Sequence, residues 1–416
     1  MSKQTKVRRQ TAFGVSAQTP PKTAPENPAE NTPDSTTSAV NTAPTITDAA
    51  PANSFTALME KASQEILTLN YWFEAQPMPE PYSVVIKFTG TRNNVEGKPG
   101  PRDTFTHFET IDEVPPNSGS LSVTAHVDGI NPGEWTVTAQ VTDLGKNKNK
   151  QNNKNTPTDI VIKDPLARMW HAWAPSAEKK SQVKTGFLYW GKTPGIIPGA
   201  WPILVTLGII VAILLQTAIM THEHTIIGAR LSVTFFALIA GIIGGKGWFI
   251  LKHLDERRWE GWTIQGFVFG IAVALLLLLP TNHISIGSFL DPLGPSLLIG
   301  IGIGRLGCFF AGCCGGPLTC EPWGVWSSDQ RIGGKRVPTQ LMESSFAFIT
   351  GFAELLLLWA KGPANGAFFA AAVAVYALGR QGILRMRQER NITKWDNYIT
   401  AAIAAIFVIS LIFALK

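Results

Sequence analysis

Arg305 lies in Gly304-Arg305-Leu306-Gly307-Cys308-Phe309-Phe310-Ala311-Gly312-Cys313-Cys314-Gly315-Gly316-Pro317-Leu318-Thr319, closing a long apolar run. Hydrocarbon tolerates a guanidinium only where a partner satisfies it, so an arginine at this depth marks a functional site. A fixed guanidinium can grip a phosphate through two parallel hydrogen bonds, and at this depth the phosphate at hand is a phospholipid headgroup. A second charged segment is Arg336-Val337-Pro338-Thr339-Gln340-Leu341-Met342-Glu343, where Pro338 ends a loop and Thr339 can cap the helix that follows. Glu343 and Glu354 stand eleven residues apart and share nearly one face of that helix. Glu343 could simply add charge to its first turn, whereas Glu354 lies deeper. A third segment runs from Tyr376 to Arg387, with Tyr376, Arg380 and Arg387 spaced by four and seven along one helical stripe. Arg385 reads as a snorkelling flank residue.

The four cysteines, Cys308, Cys313, Cys314 and Cys320, all belong to the Arg305 segment or its immediate sequel. With none elsewhere, the polar half is not a disulfide-stapled scaffold. Four thiolates can bind zinc, but the spacing lacks paired Cys-x-x-Cys clips, so no metal and no cofactor is expected. A disulfide is the alternative in an oxidising compartment. Gly300, Gly302, Gly304 and Gly307 suit close helix packing, which leaves Arg305 unexplained.

These residues need a membrane to stand in. Windows near 198–218, 228–251, 263–280, 293–311, 341–360, 365–383 and 396–415 each approach the roughly 20 residues that cross a hydrocarbon core. They predict a polytopic α-helical membrane protein of about seven transmembrane helices; barrel strands would be shorter and would alternate. The net charge of +6 has no nucleic-acid signature beside it, so no nucleic-acid partner is expected. The basic start, Met1 to Arg9, lacks a following apolar core, and no cleavable secretory signal is expected. No internal repeat of the transporter kind is present.

Four domains follow. Residues 1–53, rich in Pro, Thr, Ala, Ser and Asn, predict a disordered tail. Residues 54–165 predict a small all-β sandwich: after an amphipathic stretch at 55–70, Tyr82–Phe88, Thr104–Phe108, Leu121–Val127 and Trp135–Val141 alternate as half-buried strands do. A turn at Gly129–Glu134 separates the last two, and the stretch from about 75 to 165 resembles an immunoglobulin-like or fibronectin type III module. The lysine-rich run 146–154 reads as a solvated loop, with anionic headgroups as its other possible contact. Residues 166–195 form a linker, in which Trp170, Trp173 and Trp190, with Trp201 just beyond, suit the headgroup layer. Residues 196–416 form the membrane domain.

Within that domain, Gly304-Arg305-Leu306-Gly307 with Phe309, Gly312, Gly316 and Thr319, then Pro338-Thr339-Gln340-Leu341-Met342-Glu343, then Tyr376 with Arg380 and Arg387, resembles the prolipoprotein diacylglyceryl transferases. The three blocks stand in the family's order across roughly 196–415. The resemblance implies a plasma-membrane enzyme that moves the diacylglyceryl group of phosphatidylglycerol to the lipobox cysteine of a preprolipoprotein, releasing glycerol 1-phosphate. It implies that Arg305 and Arg380 hold the lipid, that Tyr376 joins them in catalysis, and that Gly304, Gly307, Gly316, Gln340, Glu343 and Arg387 line the substrate site. Two cations beside the scissile bond would stabilise charge on the departing phosphate.

The sequence departs from that pattern where acid-base chemistry is concerned. Cys308, Ala311 and Cys313 stand where the family has Asn, Asn and Glu, Leu384 replaces a glutamate, and Gln265-Gly266-Phe267 replaces His-Gly-Gly. Gln265 takes no proton from a thiol at neutral pH; with Gly266 it keeps a place in the substrate site. Cys308 and Cys313 are the catalytic candidates in its stead, Cys313 as a thiolate if the arginines depress its pKa. The alternative is a catalytically altered paralogue that binds phospholipid or uses another acceptor. The charged flanks, from Lys252 to Lys394, fall on one side of a seven-span arrangement. The charge rule would make that side cytoplasmic, and the resemblance would place it outside.

Overall fold

The computed structural model describes residues 65–144, 180–187, 193–222, 227–252, 263–388 and 395–415. The expected tail at 1–53, the run 146–154, and Trp170, Trp173 and Trp190 lie outside the described residues.

Strands β1 (Glu65–Glu74), β2 (Tyr82–Arg92), β3 (Thr104–Val114), β4 (Ser120–Val127), β5 (Glu134–Leu144), β6 (Lys180–Lys184) and β7 (Gly186–Phe187) build the polar half. Two more, β8 (Val325–Ser328) and β9 (Ile332–Arg336), come from far along the chain and join them. One sheet runs β7-β1-β4-β9-β8 and the other β3-β2-β5-β6, with antiparallel neighbours throughout. Their facing side chains, among them Leu67, Leu69, Val84, Ile86, Phe88 and Trp135, are buried together. The four alternating segments are all strands, and the turn at 129–134 carries the chain from one sheet to the other.

The amphipathic reading of 55–70 is corrected where it meets β1. From Ile66 to Phe73 every residue is buried, the polar Thr68 and Asn70 included, so both faces of the strand are covered although its sequence alternates from Leu67 to Tyr71. Leu67, Leu69, Tyr71 and Phe73 face the sandwich core, while Trp72 stacks on Trp326 of β8, ring centroids 5.5 Å apart. Trp326 Nε1 also donates to Ser120 O at 3.1 Å. The β8–β9 hairpin is thereby fastened to β4 by backbone pairing, Ser122 opposite Gly333 and Val123 opposite Ile332. An ion pair between Arg331 and Glu109 adds to the tie.

The apolar half contains α1 (Ala200–His222), α2 (Ile227–Lys252), α3 (Ile264–Thr281), α4 (Ile286–Ala311), α5 (Thr339–Lys361), α6 (Ala367–Leu384) and α7 (Trp395–Leu415), matching the seven windows. Among the described residues, five of these (α1, α2, α4, α5 and α6) are long and apolar enough to cross a membrane. The chain is thus a polytopic helical membrane protein with an N-terminal β-sandwich. Large apolar side chains such as Leu214, Ile243, Leu276 and Phe413 stand exposed on the helices, as lipid-facing residues must.

Helix α4 is the organising element, packing between α1 and α5. A Cβ on Gly208 of α1 would lie 2.5 Å from Gly300 O, so the absence of side chains lets those two backbones touch. On its other side Ser344 of α5 donates to Gly302 O at 2.7 Å. Helix α4 ends where Gly312 takes a left-handed conformation, φ 69°, that a β-carbon would strain.

Candidate active site

Three elements bring their charged residues to one point. Arg305 rides on the last turns of α4, Glu343 on the first turns of α5, and Tyr376 and Arg380 on the last turns of α6. Glu343 is fully buried. Its Oε1 accepts from the Tyr376 hydroxyl at 3.0 Å and forms ion pairs with Arg305 Nη2 at 2.9 Å and Arg380 Nε at 3.2 Å, while its Oε2 accepts from Arg387 Nη2 at 2.5 Å. A carboxylate so far from water stands only if paired, and here one negative charge faces three guanidiniums. The cluster therefore keeps unneutralised cationic charge.

The three cations are not held alike. Arg305 and Arg387 expose 14% and 12% of their side chains, and Arg380 exposes 34%. Arg380 Nε pairs electrostatically with Glu343 but lacks hydrogen-bond geometry to it. Arg380 is thus the most open and least committed of the three, and free to take an anion.

Arg387 does not extend the helical stripe that the spacing predicts. Helix α6 stops at Leu384, and the N–H groups of Arg385, Met386 and Arg387 each bond back three residues, to the carbonyls of Gly382, Ile383 and Leu384. That tighter winding carries Arg387 to Glu343 from beyond the helix.

Thr339 is not the helix cap. Pro338 occupies that position without a side-chain bond, and Thr339 Oγ1 instead donates to Cys314 O at 3.0 Å. Gln340 Nε2 donates to Cys313 O at 2.9 Å. The start of α5 thus clamps the cysteine loop that leaves α4. Cys308 is buried with its sulfur 3.9 Å from Arg305 Nη1, Cys313 is half-buried, and Cys314 and Cys320 are exposed; all four are free thiols.

Other expected site residues are placed by packing. Gly307 sits against Trp201 and Leu204 of α1, Gly304 faces Val205 of the same helix, and Gly316 lies under Val337 and Thr339. Gln265 accepts from Lys252 Nζ at 3.3 Å, and Gly266 packs on Gly244 and Trp248. The contacts of both are with α2, whereas the charged cluster is built from α4, α5 and α6.

Two buried charges went unread as site residues. Arg336, 1% exposed, donates to Gly316 O at 3.1 Å, Gln388 Oε1 at 2.8 Å, Asp329 Oδ2 at 2.7 Å and Ile332 O at 3.0 Å. It joins the β8–β9 hairpin to the loops after α4 and α6. Its place just before Pro338 in the second charged segment was the available signal. Asp291 of α4 accepts from the backbone N–H groups of Ala364 and Gly366, at 2.7 and 3.0 Å, and pins the turn between α5 and α6. Glu354 is 2% exposed against Gly294, toward the opposite end of α4 from Arg305.

Residues 199–415 match the family model described as prolipoprotein diacylglyceryl transferase. A phosphatidylglycerol–prolipoprotein diacylglyceryl transferase of Clostridium tetani is 28% identical over 191 residues, covering 42% of this chain and 76% of the relative. One from Clostridium perfringens is 28% identical over 205 residues, 46% of this chain and 79% of the relative. A third, from Oceanobacillus iheyensis, is 26% identical over 273 residues, 60% of this chain and 91% of the relative.

Proposed function

Because this chain belongs to the prolipoprotein diacylglyceryl transferase family, we propose that it transfers the diacylglyceryl group of phosphatidylglycerol to the cysteine thiol of a preprolipoprotein, as a multi-pass enzyme of the bacterial plasma membrane. The supporting observation is the buried Glu343 with Arg305, Arg380 and Arg387 around it. Glu343 fixes the arginines without neutralising them, so their remaining charge is preorganised for a lipid phosphate.

In this reading Arg305 and Arg380 hold the phosphate. The acceptor sulfur attacks the glyceryl carbon, an S–C bond forms, the C–O bond to the phosphate breaks, and the thiol proton passes to the departing phosphate. The C–O electron pair leaves on glycerol 1-phosphate, where both guanidiniums meet the new charge. Tyr376 and Arg387 position Glu343, and Gln340 with Thr339 fixes the loop that carries Cys313 and Cys314 just beyond Cys308 on α4. All seven helices span the membrane, α3 and α7 included, so that 196–416 is the catalytic domain. The sandwich is an immunoglobulin- or fibronectin type III-like module, and its seam with the β8–β9 hairpin steadies Arg336 beside the site.

Incubation of the purified protein with labelled phosphatidylglycerol and a lipobox peptide tests the proposal. Label on the peptide cysteine is expected. Bound lipid with no transfer would instead favour a phospholipid-binding protein.

A further inference from the structure

Beyond Leu384 the chain's own bonds reach back only three residues, from Arg385, Met386 and Arg387. A helix end of this kind frays unless something outside the helix holds it. Yet this end carries Arg387, whose Nη2 donates to Oε2 of Glu343. Among the described residues, the other partners of Glu343 all meet Oε1.

The holding contacts are made by Gln388. Its N–H donates to Gly315 O at 3.3 Å, and its Oε1 accepts from Arg336 Nη1 at 2.8 Å. Both anchors are themselves fixed. Arg336 is buried, and each of its η nitrogens has two hydrogens and two acceptors. These are Gly316 O and Gln388 Oε1 for Nη1, and Asp329 Oδ2 and Ile332 O for Nη2. The loop at 315–317 is fastened to the entry of α5, with Gly316 N on Val337 O at 3.2 Å and Val337 N on Pro317 O at 3.1 Å. A Cβ on Gly316 would lie 2.5 Å from Val337 O, so this close approach needs glycine. The contacts close a circuit. It runs from the entry of α5 through the loop to Gln388, across one peptide to Arg387, and back to Glu343 on α5.

We infer that Gln388 is a positioning residue of the lipid site: held by Arg336 and Gly315, it sets Arg387 on Glu343 and thereby leaves Arg380 to the phosphate. The physical basis is competition for one carboxylate. Oε2 is occupied by Arg387, and a buried carboxylate oxygen that loses its cation draws another. The guanidinium free to move is that of Arg380, the most open of the three, whose Nε makes no hydrogen bond to Glu343. An arginine drawn fully onto Glu343 has less charge and fewer donors for a phosphate. The expected loss of transfer rests on the proposed function; the placement of Arg387 by Gln388 does not.

Full-length wild type and Gln388→Ala in lipid nanodiscs, treated with phenylglyoxal and mapped by mass spectrometry, test the inference. Gln388 is exposed, so the substitution removes its contact and leaves the core intact. Arg387 should be modified at least ~5-fold faster in Gln388→Ala than in wild type, while the exposed Arg385 reacts alike in both. In the transfer assay Gln388→Ala should lose roughly 10-fold in kcat/KM. Placed on Arg387→Ala, it should cost less than ~2-fold more, because both substitutions remove the same contact. Equal Arg387 modification in wild type and Gln388→Ala, or a full additive loss on Arg387→Ala, would overturn the inference. If wild type or Arg387→Ala transfers nothing, the modification rates decide the inference alone; a wild type without transfer contradicts the proposed function, not the placement of Arg387.

Discussion

Arg305 Nη2 lies 2.9 Å from Oε1 of Glu343, a carboxylate with no exposed surface, and the two residues come from the last turns of α4 and the first turns of α5. The charge that seemed costly on α4 is thereby explained by a partner on α5. Arg380 and Tyr376 reach the same oxygen, so the carboxylate is the point about which the site is assembled.

Glu343→Gln keeps the shape and removes the charge. Three guanidiniums would then face one another with no counter-charge, and breaking a buried pair of this kind costs about 3–5 kcal/mol. A lower midpoint of thermal unfolding and a loss of transfer of at least ~100-fold are expected. Unfolding in detergent, followed by a transfer assay on the folded fraction, checks both.

Tyr376→Phe removes a single hydrogen bond to a charged acceptor, about 1.5–3 kcal/mol. The arginines keep Glu343 in place, so the variant should fold and insert normally. Its kcat/KM should drop roughly 10- to 100-fold. Wild-type rates would show that the hydroxyl plays no part in positioning Glu343.

Trp326→Ala cuts the hairpin from the sandwich. It deletes a buried indole that stacks on Trp72 and bonds Ser120, a loss of about 3–5 kcal/mol. Limited proteolysis should reach the chain between Val325 and Arg336 faster than in wild type, and transfer should fall because Arg336 loses its support. Unchanged proteolysis would mean that the sheet pairing alone holds the hairpin.

Acid should loosen the same seam. Burial pushes the Glu109 carboxyl up, but hydrogen bonds to His107 and Arg331 and their charges outweigh it and hold the pKa below its ordinary value. A carboxylate depressed in the fold adds stability that is complete above the unfolded value, ~4.3. That stability is lost as pH falls through the lower, folded value. Thermal midpoints between pH 7 and pH 3 should fall less for Glu109→Gln than for wild type; parallel curves would contradict the assignment.

The membrane helices were legible because roughly 20 apolar residues in a row have few other uses. Arg305, Glu343, Tyr376, Arg380 and Arg387 were legible as candidates because each charge or hydroxyl sits beside hydrocarbon. Their common partner was not, since Glu343 at the start of a helix looks the same whether it faces water or three arginines. The alternation of Leu67-Thr68-Leu69-Asn70-Tyr71 was an available sign of β1, whereas the burial of its second face, Thr68 and Asn70 included, comes from contacts made only in the fold. β8 and β9 were missed because strands of only four and five residues, the second with two glycines, pair only when a sheet edge from elsewhere in the chain is offered to them. Cys314 gave no sign of its left-handed backbone, φ 60°, which accompanies the bond from Thr339 to its carbonyl.

The central claim is that Arg305 and Arg380 together hold the phosphate that leaves. The direct measurement is release of glycerol 1-phosphate from phosphatidylglycerol in the presence of a lipobox peptide, by wild type, Arg305→Ala and Arg380→Ala in the same nanodiscs. Wild type should release it in step with peptide labelling, and each variant should insert normally yet release none above background. Near-wild-type release by either variant would contradict the two-arginine site.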